Sequence, residues 1–518
     1  MAWLNDRLLI GAVALSLLVA LLWRLYPVAA GMPALAELFV TEDGYLMLTV
    51  ARNLALGLGL SVSEGTIPTN GVQPLATLLY ALPFRATGGE RVEALVWLHL
   101  MWAGIAVAAM LAVRSFAARL LAPEAGAVWP WLAAALWFCG PLLVGHSMNG
   151  LETGLYTLAV LLACLQFGRV IARGAGAGTG DLALMGALLG LAFLARNDAV
   201  FLVLAMAVVW VAHALAVQRL SPGAVLRRLP VPALVCAAVA APWLVHNFLL
   251  TGSIVPVSGT AQSLGSQAGG NLPLLPATLF EHFLPMLPIP TSLERVPAVM
   301  AVAATVSAVL LAGFFWRMWQ RGGPMLAVAL VYGLFGAGLA VYYGAFFGAP
   351  HFMPRYLAPL APLLIVATLQ VALDVARALR ARRALVAAGV LSLALSLGLT
   401  LRPVLQQEPD PFSHFQVVGW VQQNVPDETW VGAVQTGTLG FWHDRTINLD
   451  GKVNPAALEA RRQTGHVLDY VADSPIDYLA DWVGIADWVN REGFGAHFEV
   501  VVEDETLNFG VLRRRAAP

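Results

Sequence analysis

The sequence predicts a polytopic α-helical membrane protein of about eleven transmembrane helices with a C-terminal extracytoplasmic α/β domain. Three observations predict it. Of 518 residues, 59% are hydrophobic and 12% charged, about half the charged share of an ordinary soluble domain. Apolar runs long enough to cross about 30 Å of hydrocarbon recur between residues 8 and 402. Arginines gather on alternate connections between those runs.

The spans read from the sequence are 8–27, 92–113, 127–145, 152–168, 182–196, 199–217, 230–249, 297–316, 324–343, 356–374 and 384–402. Residues 74–84 are apolar but too short to span, and read as a dipping or interfacial helix. Threading the spans alternately puts Arg7, Arg114, Arg119, Arg169, Arg173, Arg219, Arg227, Arg228, Arg317, Arg321, Arg377, Arg380, Arg382 and Arg383 on one side. The other side holds only scattered arginines, so the basic side is cytoplasmic by the positive-inside rule. Counting 74–84 as a span would break the pattern at Arg114. The run after Arg7 resembles a signal peptide, with Val28-Ala29-Ala30 weakly cleavage-like. Its length and the spans that follow favour an uncleaved first helix. The first outer loop is then 28–73, and a long outer loop covers 250–296. The loop Gly174–Gly180 lacks the Gly-Lys-Ser/Thr ending of a phosphate-binding loop and reads as a linker.

The net charge of −1 argues against a nucleic-acid partner. Lys452 is the only lysine. Cys139, Cys164 and Cys236 lie in apolar runs, as small buried hydrophobes do. From about residue 404 the composition changes. A polar linker, Gln406–Pro411, leads into short apolar segments at Trp430–Val434, Thr446–Leu449, Ile476–Leu479, His497–Val502 and Leu507–Leu512. Helical patterns fall at 413–424, 455–472 and 484–492. Residues 404–518 therefore read as a soluble α/β domain, and 1–403 as the membrane module.

The residues able to carry chemistry fall on the outer side. Thr41-Glu42-Asp43-Gly44-Tyr45 opens a helix, with Thr41 as cap and two acids in its first turn. Such acids compensate the helix dipole; past a span, they could also face a cavity as base or cation ligand. Pro68-Thr69-Asn70-Gly71-Val72-Gln73-Pro74 is sufficiently explained as a tight turn. Glu152 opens the fourth span, where a boundary acid is either dipole compensation or part of a site. Arg196-Asn197-Asp198 is an Arg–Asp pair closing a hairpin or a cation for phosphate. His351 and Arg355 precede the tenth span, and an arginine there either snorkels or binds phosphate oxygens. His246-Asn247 could join them. Two acids and several cations on one face suit a reaction between a lipid-borne phosphate and an outer substrate. The sequence carries no nucleophile–base triad and no zinc-ligand spacing.

The order of these motifs resembles the GT-C superfamily of polytopic glycosyltransferases. It is closest to a broad bacterial group with paired acids and an aromatic (Glu42-Asp43-Gly44-Tyr45), then Ala51-Arg52-Asn53-Leu54, then Thr69-Asn70-Gly71-Val72-Gln73-Pro74-Leu75. Gly150-Leu151-Glu152-Thr153, Ala195-Arg196-Asn197-Asp198, Arg355-Tyr356, Gln435–Gly440 and Asn448-Leu449-Asp450-Gly451 continue the match. The resemblance implies inverting transfer of a sugar from a polyprenyl-phosphate donor to a cell-envelope glycan, lipid or protein acceptor. It implies a first-loop acid as general base, here Asp43, with Glu42 left open because the family often has Asp-Asp or Asp-Glu. It implies donor-phosphate binding by Arg196, Arg355 and His351, and Glu152 as an acceptor or second acidic site. No cofactor is expected, although the acids could bind a divalent metal. A transporter or flippase for a lipid-linked sugar is the alternative. The absence of an internal repeat and the clustering of charge at one surface favour the enzyme.

Overall fold

The computed structural model describes residues 2–122, 126–402, 413–491 and 493–516. Each of the eleven apolar runs falls largely on helix. Among the described residues, nine helices are long and apolar enough to cross a membrane, or ten if one bent pair counts as a span. The pair is Val128–Cys139 and Pro141–Met148, bent by 65°. Pro141 cannot donate to the ladder and sits at a helix first turn, so the chain restarts there in a new direction. Helix Thr179–Ala195 has 17 residues, about 25 Å of rise, and falls short of the same length. These two elements separate the eleven expected crossings from the nine or ten found. The first apolar run is one helix, Ala2–Ala30, packed against helices Arg91–Leu120, Val128–Cys139 and Arg382–Thr400.

The segment 28–73, expected as an outer loop, is structured. Helix Glu42–Ala55 begins at Thr41, whose hydroxyl accepts the Gly44 N–H at 3.3 Å. The next turn pairs β1 (Ser61–Val62) with β2 (Ile67–Pro68). Helix Pro74–Ala86 follows, with Pro74 at its first position. Its 13 residues rise about 20 Å, too little to span. It packs on helices Glu42–Ala55 and Arg91–Leu120.

The C-terminal region forms a five-stranded sheet of β3 (Val431–Ala433), β4 (Thr446–Asn448), β5 (Tyr478–Asp481), β6 (Phe498–Asp504) and β7 (Phe509–Arg514). The order is β4-β3-β5-β7-β6. β3 runs parallel to β4 and β5, while β5–β7 and β6–β7 are antiparallel. All five strands overlap the short apolar segments expected from the sequence. The expected helix 455–472 is two helices, Pro455–Thr464 and Leu468–Asp473, parted at Gly465 with φ +81°. The linker Gln406–Pro411 and the boundary at 403–404 lie outside the described residues.

The sheet domain is fixed to the membrane module by packed and polar contacts. Phe441 and Val453 belong to the same buried apolar cluster as Tyr45, Phe84 and Leu98. The Tyr45 and Phe441 rings lie 4.9 Å apart. Arg52 and Arg91 both reach Asp444 at 2.8 Å, and Arg445 reaches Glu64 at 2.9 Å. Ser63 donates to the Thr446 carbonyl at 2.6 Å.

Candidate active site

A cavity of about 440 Å³ opens where the membrane module, the outer loop after residue 250 and the sheet domain meet. Asp43, Glu152, Arg196 and Arg355 all line it. They come from four separate stretches of chain, and each is aimed by its local structure.

Asp43 lies in the first turn of its helix, with 16% of its side chain exposed. Its two oxygens are divided between two cations. Arg355 Nη1 donates to Oδ2 at 3.1 Å, and Lys452 Nζ donates to Oδ1 at 3.2 Å. Burial pushes the Asp43 carboxyl up, but Lys452 and Arg355 outweigh it and hold the group below the ordinary carboxylate value. The sign follows directly. A depressed folded pKa stabilises the native pairing above the unfolded value and loses that contribution as pH falls through the folded value. We expect the Asp43→Asn protein to show less acid destabilisation than wild type in thermal melts taken on the acid side. Parallel curves for the two proteins would contradict the pairing.

Glu152 stands at the N-cap position of helix Thr153–Arg173, after the turn Asn149–Leu151, with its carboxylate turned to Arg196 rather than to the helix N–H groups. The Asn149 side chain accepts the Leu151 N–H at 3.1 Å, and Tyr80 donates to the Leu151 carbonyl at 2.8 Å. Arg196 follows the end of helix Thr179–Ala195 and is 6% exposed. It donates to Glu152 at 2.5 Å, to Asp198 at 3.0 Å and to the Tyr343 hydroxyl at 2.8 Å. Its guanidinium lies 4.5 Å from the Tyr356 ring centroid. Tyr343 also donates to Asp198. The Arg–Asp pair expected at this tip is therefore present, and Glu152 joins it.

Two sequence candidates do not line the cavity, although His351 is close enough for the charges of Lys452, Asp43 and Arg355 to act on its ring. Glu42 points into the sheet domain, where its carboxylate accepts the Gly437 N–H, the Thr438 N–H at 2.8 Å and the Thr438 hydroxyl at 2.5 Å. Glu42 and Asp43 thus diverge, and do not converge on one point as a shared metal would require. His351 is exposed, with its ring 4.0 Å from that of Phe352, and does not line the cavity. Of the further pair, Asn247 Nδ2 donates to the Ile254 carbonyl at 3.1 Å and His246 stacks on Trp243; neither lines the cavity. Asn70, which local pattern explains as a turn residue, also accepts the Val257 N–H at 3.0 Å and ties down the outer loop.

Sequence reasoning gave no role to Lys452, Tyr343, Tyr356 or Gln262, although Tyr356 stands in the Arg355-Tyr356 motif of the resemblance. The Tyr356 hydroxyl links Arg355 at 3.1 Å to Gln262 at 3.1 Å. Lys452 is placed by the turn Asn448–Gly451. Asn448 accepts the Gly451 N–H at 3.0 Å, Asp450 accepts the Lys452 N–H at 2.8 Å, and Gly451 adopts φ +82°. The one available signal was that this chain has a single lysine, set beside a motif of the resemblance.

No curated protein matches the chain by sequence. A family model described as a domain of unknown function, DUF8728, matches residues 404–510. Solved structures match over the whole chain. ArnT from Cupriavidus metallidurans, bound to undecaprenyl phosphate, has a TM-score of 0.60 at 13% identity, covering 98% of this chain and 98% of that one. The archaeal oligosaccharyltransferase AglB from Archaeoglobus fulgidus, in complex with an inhibitory peptide and a dolichol-phosphate, has a TM-score of 0.60 at 13% identity. That match covers 99% of this chain and 75% of that chain. Both neighbours are GT-C proteins. The chain has the GT-C fold.

Within this GT-C fold, the Glu42 contact is a tight backbone approach. A methyl group on Gly437 would overlap the Glu42 carbonyl. We expect Gly437→Ala to destabilise the docked domain by about 1–3 kcal/mol, the usual range for overpacking. A lowered thermal midpoint checks it; an unchanged midpoint would contradict so close a contact.

Proposed function

We propose that this protein is an inverting glycosyltransferase that uses a polyprenyl-phosphate-linked sugar. It transfers the sugar to an acceptor hydroxyl on the outer face of the cytoplasmic membrane. The observation that carries the reading is Asp43, a carboxylate held ionised on a cavity that also presents Arg355 and Lys452. The fold supports it, as do the neighbours solved with undecaprenyl phosphate and dolichol-phosphate.

In the proposed reaction the acceptor hydroxyl attacks the anomeric carbon while Asp43 takes its proton. The bond from that carbon to the phosphate oxygen breaks, and its electron pair leaves with the phosphate. Cations near that oxygen stabilise the charge that develops there. One displacement inverts the anomeric configuration. Glu152 acts through Arg196, fixing the cavity wall beside Tyr343 and Tyr356. Glu42 fastens the sheet domain and takes no proton from the acceptor.

The test uses purified full-length protein in lipid nanodiscs. Radiolabelled polyprenyl-phosphate sugars are supplied with a cell-envelope extract. Label moving from the lipid to an acceptor fraction supports the reading. Label transferred only from nucleotide sugars would overturn the donor class. In sealed vesicles, donor crossing the bilayer without transfer would identify a flippase.

A further inference from the structure

The Asp43 carboxylate is bound to two cations, which suits a stored charge better than a working base. A base must accept a proton, and the flanking cations oppose that. Something must therefore take over Arg355 and Lys452 as the reaction proceeds. The donor's phosphate is the anion that arrives, and it gains a second negative charge as the sugar leaves.

We propose that Arg355 and Lys452 form a single phosphate-binding pair built across the two domains, and that this pair passes from Asp43 to the donor's phosphate during transfer. The proposal rests on the glycosyltransferase reading above. It keeps charge balanced. Asp43 goes from carboxylate to neutral acid as it accepts the acceptor's proton. The phosphate goes from one negative charge to two as it receives the electron pair of the broken glycosidic bond. The two cations face the same total negative charge throughout, so neither is left uncompensated.

The geometry favours this pair over Arg196. Arg196 already holds two carboxylates, Glu152 and Asp198, so its cluster carries net negative charge and repels an anion. Arg355 retains a spare donor, since its buried Nε has no hydrogen-bond partner among the described residues. Lys452 contacts Asp43 and Asp450, at 3.2 and 3.3 Å, and an ammonium has three donors. Lys452 is also delivered by a fixed element. The neighbouring acid Glu42 is held by Gly437 and Thr438 of the same sheet domain. A methyl group on Gly71 would overlap the Lys452 carbonyl. The sheet domain therefore supplies part of the site.

Binding of undecaprenyl phosphate to the full chain in nanodiscs tests this without any transfer step. Undecaprenol and inorganic phosphate serve as the comparison probes. Lys452→Met should weaken binding about 10- to 100-fold, the range for losing one charge-assisted hydrogen bond. Lys452→Arg should keep it within a few-fold of wild type. Asp43→Asn should bind more tightly than wild type, because the competing carboxylate is gone. Glu42→Gln loosens the docked domain without removing a cation, and the loss in Lys452→Met must exceed its loss. Competition by inorganic phosphate supports a pocket open to phosphate from either source. Binding of the lipid phosphate with no such competition supports the lipid-borne source. Undecaprenol binding as well as undecaprenyl phosphate would overturn the proposal. So would wild-type binding by Lys452→Met, or weaker binding by Asp43→Asn. Wild-type protein that binds the lipid phosphate through Lys452 yet transfers no sugar would sink the glycosyltransferase reading and leave the binding pair standing.

Discussion

Asp43→Asn abolishes sugar transfer while the protein remains folded and keeps its donor site. The substitution preserves size and two hydrogen-bonding atoms but removes the ability to accept a proton. Positioned general bases contribute about 10²–10⁴-fold, so the rate of the chemical step should fall by at least that range. The effect belongs in the turnover rate, because the donor's phosphate meets the same cations or meets them more easily. Glu42→Gln gives the contrast. It changes the neighbouring acid by the same chemistry, but on a side chain that faces Gly437 and Thr438. Its loss should appear as lowered thermal stability, with the pH dependence of transfer unchanged. Equal loss of turnover in both variants, with equal stability, would mean that the acids share the role.

The second large effect is structural. Arg196→Leu leaves Glu152 and Asp198 facing each other without their shared cation, both buried to within 8% exposure. Removing one partner of a buried charged cluster costs about 3–5 kcal/mol. The expected result is a large drop in thermal midpoint in detergent or nanodiscs. Adding Glu152→Gln and Asp198→Asn should recover part of that loss, since the uncompensated charges are then gone. A triple variant no more stable than Arg196→Leu alone would show that packing around Tyr343 and Tyr356, and not charge, sets the cost.

Much of the architecture was legible because hydropathy and charge act locally. A run of apolar residues reports its own span, and five short apolar segments reported five strands. Asp43, Glu152, Arg196 and Arg355 were legible as one set because the expected topology placed all four on one side. What was not legible depends on tertiary geometry. Glu42 and Asp43 are consecutive on a helix, so their side chains point about 100° apart. Only the docking of the sheet domain decides which one meets the cavity. Lys452 lies 409 residues from Asp43 in sequence, and no local pattern pairs them. Arg196 was read as the partner of Asp198 or as a cation for phosphate; the Asp198 pairing is local and was legible, whereas the contact with Glu152, 44 residues away, was not. The bend at Gly140-Pro141 carried its signal in the sequence, but averaging hydropathy over the run concealed it.

The central claim is a single displacement at the anomeric carbon, driven by Asp43 from a polyprenyl-phosphate donor. The most direct measurement is the anomeric configuration of the transferred sugar. A donor of defined configuration, labelled with ¹³C at the anomeric carbon, is supplied to the wild-type protein in nanodiscs. The product is read by NMR. Inverted configuration, formed by wild type and not by Asp43→Asn, is the predicted result. Retained configuration, or an inverted product formed equally well without the Asp43 carboxylate, would contradict the account.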